Sequence, residues 1–144
     1  MTSFLLDVNV LIALLDAQHV HHDVAHDWFK TRGKCKWATC PLTENGVIRI
    51  VSNPKYPNYV SAPLTAIDAL AQMRKLPGYD FWPDDTSLVN NKHIDAKRLL
   101  SSGQITDTYL LALASAHGGQ LATFDNRLIV DAVHQGLSAL HLIA

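Results

Sequence analysis

The sequence predicts an α/β domain with a mainly parallel central sheet. Three observations carry this expectation. Short apolar runs of strand length alternate with longer segments at helical spacing. Pro and Gly punctuate the joins, as at Pro77-Gly78 and Gly118-Gly119. The 144 residues are 48% apolar and 17% charged, enough for one full core and unlike a disordered chain. A single domain over residues 1–144 is expected.

The elements follow in order. Phe4-Leu5-Leu6 is a buried strand that ends at Asp7, and residues 8–16 continue as a helix. Residues 20–32 form an amphipathic helix with Val20, Val24, Ala25, Trp28 and Phe29 on one side. Residues 37–40 are a strand, and Pro41 suits the first position of a helix running to Val51. A loop at 53–58 carries two prolines, a helix spans 63–76, and 79–82 is a strand. Residues 92–100 are expected to be helical and 101–103 a loop. Helix 106–117 stops at Gly118-Gly119. Strand 121–124 ends at Asp125, a short helix stopped by Gly136 follows, and 140–143 is a last strand.

Composition narrows the function. The formal charge is −1, so nucleic-acid contact must come from a local patch. Two cysteines, Cys35 and Cys40, cannot form a disulfide framework or a four-cysteine zinc site, and read as free thiols. The first apolar run is broken by Asp7 and Asn9 and is too short for a membrane span. No membrane association is expected, and the cytoplasm is the expected location.

The acids are the informative residues. Twelve of the 13 are Asp, and Glu44 is the sole glutamate. Asp7 and Asp125 close strands where ligands gather in parallel sheets, and Asp107 opens a helix. Helix capping alone would account for any one of these aspartates. Glu44 shares a face with Val47, Ile48 and Val51, so it is expected inward unless it bends out from the first turn. If the four converge, they need a counter-charge. Oxygen-only ligands select Mg²⁺ or Mn²⁺, and such a centre suits phosphodiester hydrolysis.

These residues carry a resemblance. The run Leu6-Asp7-Val8-Asn9-Val10-Leu11-Ile12-Ala13-Leu14-Leu15 resembles the opening motif of PIN domains. Thr43-Glu44 with Val47, the run from Thr106-Asp107 to Ala114, and Leu121-Ala122-Thr123-Phe124-Asp125-Asn126-Arg127-Leu128 are similar to the next three motifs, in order. Within that superfamily, His22, Trp28-Phe29, Cys40-Pro41-Leu42-Thr43 and Phe81-Trp82-Pro83-Asp84-Asp85 resemble VapC-type ribonuclease toxins of bacterial toxin–antitoxin pairs. The resemblance implies a three-layer α/β/α sandwich and an Mg²⁺- or Mn²⁺-dependent endoribonuclease, usually a homodimer blocked by a cognate antitoxin. It maps the catalytic and metal-binding acids onto Asp7, Glu44, Asp107 and Asp125, with Asn9 and Thr123 in support. The opening motif departs at Val8, where Thr or Ser is common, so a supporting hydroxyl is missing there.

Other constellations were weighed against plainer roles. Lys30, Arg32, Lys34 and Lys36 form a basic run that would touch RNA phosphate beside the acidic pocket, or simply complement a helix C-terminus. Arg127 is a further candidate phosphate contact, and Tyr56, Tyr59 and Trp82 could stack bases, although packing suits Trp82 better. His22 and His26 have i, i+4 spacing but no third zinc ligand. With His19 and His21 they form a cluster whose role the sequence does not specify. Two competing classes stand beside the nuclease. A phospho-acceptor receiver is disfavoured because no lysine follows Lys97. The other is a catalytically silent PIN-like module that binds RNA or a partner.

Overall fold

The computed structural model describes residues 2–32, 36–89 and 91–144. Strand β1 (Phe4–Leu6) leads into helices α1 (Val8–Leu15) and α2 (His22–Thr31). Strand β2 (Trp37–Thr39) leads into α3 (Pro41–Val51) and α4 (Pro63–Met73). Strand β3 (Tyr79–Phe81) reaches α5 (Ile105–Ala116) through two short 3₁₀ turns, Ala96–Arg98 and Ser102–Gln104. Strands β4 (Gln120–Thr123) and β5 (Leu140–Leu142) complete the sheet.

The five strands are parallel in the order β3-β2-β1-β4-β5. Alternation along the strands splits the core. Phe4, Leu6, Trp37 and Ala122 face α1 to α4, while Leu5, Ala38 and Leu121 face α5. That makes three layers. The chain steps from β1 to β2 to β3 with helices on one face, then returns to β4 with α5 on the other. Right-handed crossovers require this change of face when the direction of travel reverses. The reversal leaves a crevice between the carboxyl ends of β1 and β4, the place where open α/β sheets bind ligands.

Helix direction brings further residues to that edge. Helix α5 must end at the amino edge to feed β4. There Gly118, at φ 69°, sends its N–H to Ser115 and Gly119 sends its N–H to Ala114. Its first turn, with Asp107, therefore stands at the carboxyl edge. Helix α3 also begins there, with Pro41 in its first turn.

Two expected helices are corrected. Residues 92–100 hold only the Ala96–Arg98 turn. Ile94 is bridged to Val133, and the Gln104 side chain takes the N–H groups of Leu100 and Ser101. The segment after Asp125 is a series of turns. Gly136 is no helix stop. A Cβ there would lie 2.5 Å from the Val130 carbonyl oxygen, so the residue permits a close backbone approach.

Candidate functional site

Asp7 is 6% exposed and caps α1. Its Oδ1 accepts the Val8 N–H at 2.7 Å, and its Oδ2 accepts the Thr123 hydroxyl at 2.8 Å. Thr123 thereby spends its single proton on Asp7. Its oxygen then accepts the Asn9 amide at 3.0 Å and the Asp125 N–H at 3.1 Å. The Asn9 Oδ1 accepts the Phe124 N–H at 3.2 Å. Asn9 and Thr123 thus lace the ends of β1 and β4 together around one carboxylate.

The charges agree with this geometry. Burial raises the Asp7 pKa, against the lowering pull of Thr123 and Val8, and the Asp125 charge adds to the rise. Asp107 is pushed up to about 6, first by burial and then by the charges of Asp7 and Asp125. Among the described residues no ion pair reaches any of these three aspartates. Nor do three acid, His or Cys side chains close into a finished metal cage among the described residues. The three aspartates act on one another across an open crevice.

Glu44, in the first turn of α3, has partners of its own. Its Oε2 accepts the Thr39 hydroxyl at 2.7 Å and lies 3.5 Å from the Arg74 guanidinium. Glu44 is thus paired with Arg74, while Asp7, Asp107 and Asp125 act on one another electrostatically.

The basic run is also displaced. Phe4 donates its N–H to the Lys36 carbonyl where β1 and β2 begin, so Lys36 stands at the amino edge, opposite the aspartates. Lys30 and Arg32 end α2, the helix that returns the chain to that edge. Lys34 and Cys35 lie outside the described residues. Arg127 is exposed at the correct edge, and its N–H donates to Asp125 Oδ1 at 2.9 Å.

The histidines have local work. The His22 Nδ1 lies 2.7 Å from the Ala13 carbonyl and the His26 Nε2 2.9 Å from that of Leu14. Carbonyls only accept, so both rings donate and satisfy the open end of α1. His21 stacks on Phe124 at 4.8 Å, and His19 Nδ1 accepts the His21 N–H. Trp82 is buried and stacked on His117, and Tyr56 donates its hydroxyl to Asp16. The buried Cys40 thiol is pushed up to about 11 by desolvation, which keeps it unreactive.

Several further residues shape the surroundings of the site. Asp84 Oδ2 accepts the Leu42 N–H at the start of α3, at 3.1 Å. Gly46 brings α3 onto α1, since a Cβ there would stand 2.8 Å from Val8 Cγ2. Val8, where a hydroxyl is missing, is thus a helix–helix contact. Thr39, Arg74 and Tyr79 surround Glu44.

Comparison with known proteins agrees with the fold. The PIN domain family model matches residues 4–132. Ribonuclease VapC44 of Mycobacterium tuberculosis is 45% identical over 138 residues, 96% of each chain. Ribonuclease VapC39 of the same organism is 44% identical over 133 residues, 92% of this chain and 95% of that one. The crystal structure of Mycobacterium tuberculosis VapC20, described as a sarcin–ricin loop cleaving toxin, superposes with a TM-score of 0.54 at 14% identity. It covers 84% of this chain and 87% of that one. Protein PAE2754 of Pyrobaculum aerophilum gives 0.58 at 22% identity, covering 96% and 83%. At those identities the two structures speak for the fold alone. The chain belongs to the PIN-domain family and, within it, to the VapC ribonucleases.

Proposed function

We propose that the protein is an endoribonuclease toxin that hydrolyses RNA phosphodiesters with Mg²⁺ or Mn²⁺ held at Asp7, Asp107 and Asp125. One observation carries the reading. Three carboxylates at the switch-point crevice act on one another, two with raised pKa values and none with a cationic partner among the described residues. A divalent cation is the counter-charge such a group lacks, and an all-oxygen donor set fits a hard cation that keeps part of its water shell. When bound, the cation supplies an acidified water and neutralises charge on the phosphate.

The chain's own residues do the rest. Thr123 and the Val8 N–H aim Asp7. Asn9 fixes the β4 end that carries Asp125. Asp107 gives up its proton as pH rises through about 6, which readies the site for a cation. Arg127, exposed beside Asp125, is the phosphate contact on this edge.

RNA, a cognate antitoxin and a second copy of the chain are the proposed partners. Leu64 and Ile67, exposed one turn apart on α4, and Leu76 beyond it offer apolar surface for protein contact. Among the described residues no helix is long and apolar enough to cross a membrane. A cytoplasmic location is proposed with the RNA substrate.

The test is purified protein, free of antitoxin, incubated with total bacterial RNA in Mg²⁺, Mn²⁺ or EDTA beside Asp7→Asn. Discrete fragments that require metal and vanish in the variant are expected. Cleavage that survives EDTA or the substitution would overturn the carboxylate reading. No cleavage by folded, partner-free protein would leave a binding module.

A further inference from the structure

His22 and His26 stand one turn apart on the same face of α2, with the i, i+4 spacing of a helical metal pair. Both are half-buried. Each commits one ring nitrogen to the far end of α1. The His22 Nδ1 lies 2.7 Å from the Ala13 carbonyl oxygen, and the His26 Nε2 lies 2.9 Å from that of Leu14. A carbonyl only accepts, so those two nitrogens carry the protons. In the neutral rings the proton-free atoms are therefore His22 Nε2 and His26 Nδ1. No protein hydrogen bond reaches either of them among the described residues.

This is the condition in which imidazole binds metal. A metal-bound histidine donates its other ring N–H to a carbonyl or a carboxylate, which fixes the tautomer and leaves the second nitrogen for the ion. Here two rings are fixed in that way at once. Their centroids are 4.3 Å apart, with the planes inclined at 59°. A metal–nitrogen bond of about 2.0–2.1 Å to each ring allows centroids up to roughly 6 Å apart, so the separation suits a shared ion. The lone pairs lie in the ring planes. Parallel planes never meet, whereas inclined planes intersect, and an ion on that line lies in both. Donor chemistry then selects the ion. Two imidazoles suit Zn²⁺, Ni²⁺ or Cu²⁺, whereas the oxygen-only crevice suits Mg²⁺ or Mn²⁺. Ala13 lies about 10 Å along α1 from Asp7, so the two places are separate.

We propose that His22 and His26 form a second metal site, a two-imidazole clasp for a transition-metal dication at the joint of α1 and α2. No third His, Cys or acid closes it among the described residues, so water completes the shell. The bound ion holds both rings in the orientation that caps α1, and so fastens α2 to α1. The inference does not depend on the nuclease reading.

The experiment is calorimetric titration of Zn²⁺ into the untagged chain in excess Mg²⁺, which masks the oxygen crevice. One Zn²⁺ per chain should bind and raise Tm. His22→Gln and His26→Gln each keep an amide donor for the α1 carbonyl but lose the imidazole lone pair. Each should weaken Zn²⁺ binding at least about tenfold and remove the gain in Tm, with folding checked by melting. His134→Gln, an exposed histidine elsewhere in the chain, should change neither. Should a Gln variant fail to fold, Cu²⁺ on the unsubstituted chain gives a second reading. Its electron paramagnetic resonance spectrum should carry splitting from two ring nitrogens. Splitting from one nitrogen or none, no uptake of Zn²⁺, or full affinity in either Gln variant would overturn the site. Equal weakening by His134→Gln would place the ion elsewhere and overturn it too.

Discussion

Asp107→Asn should make the metal-free protein more stable at neutral pH. The folded protein raises the Asp107 pKa from 3.8 to about 6. The sign follows from proton binding. Between those values the folded state holds a proton that the unfolded state releases, so stability falls as pH climbs from about 4 to 6. Each pKa unit corresponds to ~1.36 kcal/mol, which sets a ceiling of about 3 kcal/mol. Asp107 is only half-buried, and solvent screening reduces the figure to about 1–2 kcal/mol. For a domain of this size that is a gain of roughly 3–8 °C in Tm. The assay is thermal melting of both proteins in EDTA across pH. Near pH 4.5 the gain should shrink to about a third of its value at pH 7.5, because the folded group is then protonated. Saturating Mg²⁺ should stabilise the wild type more and narrow the difference. An Asn variant that melts no higher at pH 7.5, or gains equally at both pH values, would refute the electrostatic account.

Three other outcomes follow from the geometry. Thr123→Val removes the donor to Asp7 and strands the Asn9 amide and the Asp125 N–H; urea unfolding should show a loss of about 2–3 kcal/mol. A loss under half of that would mean that water replaces the hydroxyl. Gly46→Ala should lose about 1–2 kcal/mol against Val8 despite the better helix propensity of Ala, and Val8→Ala in the same chain should restore most of it. Failure of that rescue would place the strain elsewhere. Arg127→Ala should weaken RNA binding and reduce its dependence on salt by about one phosphate contact, while Lys36→Ala at the opposite edge should leave the salt slope unchanged. The reverse ranking would put RNA on the amino edge.

Asp7, Asn9, Thr123 and Asp125 were legible because each lies at or just beyond the end of an apolar strand, and a strand end fixes a residue's place on the sheet edge. Asp107 was legible by helix direction, since its helix stops at two glycines before the next strand. The sequence does not show which neighbour a long side chain chooses. The spacing of Glu44 with Val47 and Ile48 points it inward, and its partner Arg74 lies just past the end of α4, 30 residues away, where no local pattern announces it. The basic run differs in kind. Its charges suit a helix C-terminus, yet the edge they reach depends on which strand follows. Residues 92–100 have apolar spacing that suits a helix, but Asp95 takes the Lys97 N–H and Gln104 takes two more N–H groups, so side chains satisfy donors that a helix would have needed.

The difference between the aspartates and Glu44 has a physical origin that bears on the chemistry. Asp7 and Asp125 are short side chains at strand ends. Their carboxylates can move little, and Thr123 fastens Asp7 directly while holding the backbone of Asp125. The fold therefore carries their mutual repulsion permanently, and it adds to the burial that raises the Asp107 pKa. Glu44 has one more methylene and a place on a helix turn, so it can reach a cation supplied by the chain. Pairing it with Arg74 offsets one negative charge on an edge that already holds three. Three fixed acids concentrate negative charge at the ends of β1 and β4, and the Arg74 pairing offsets the charge of a fourth.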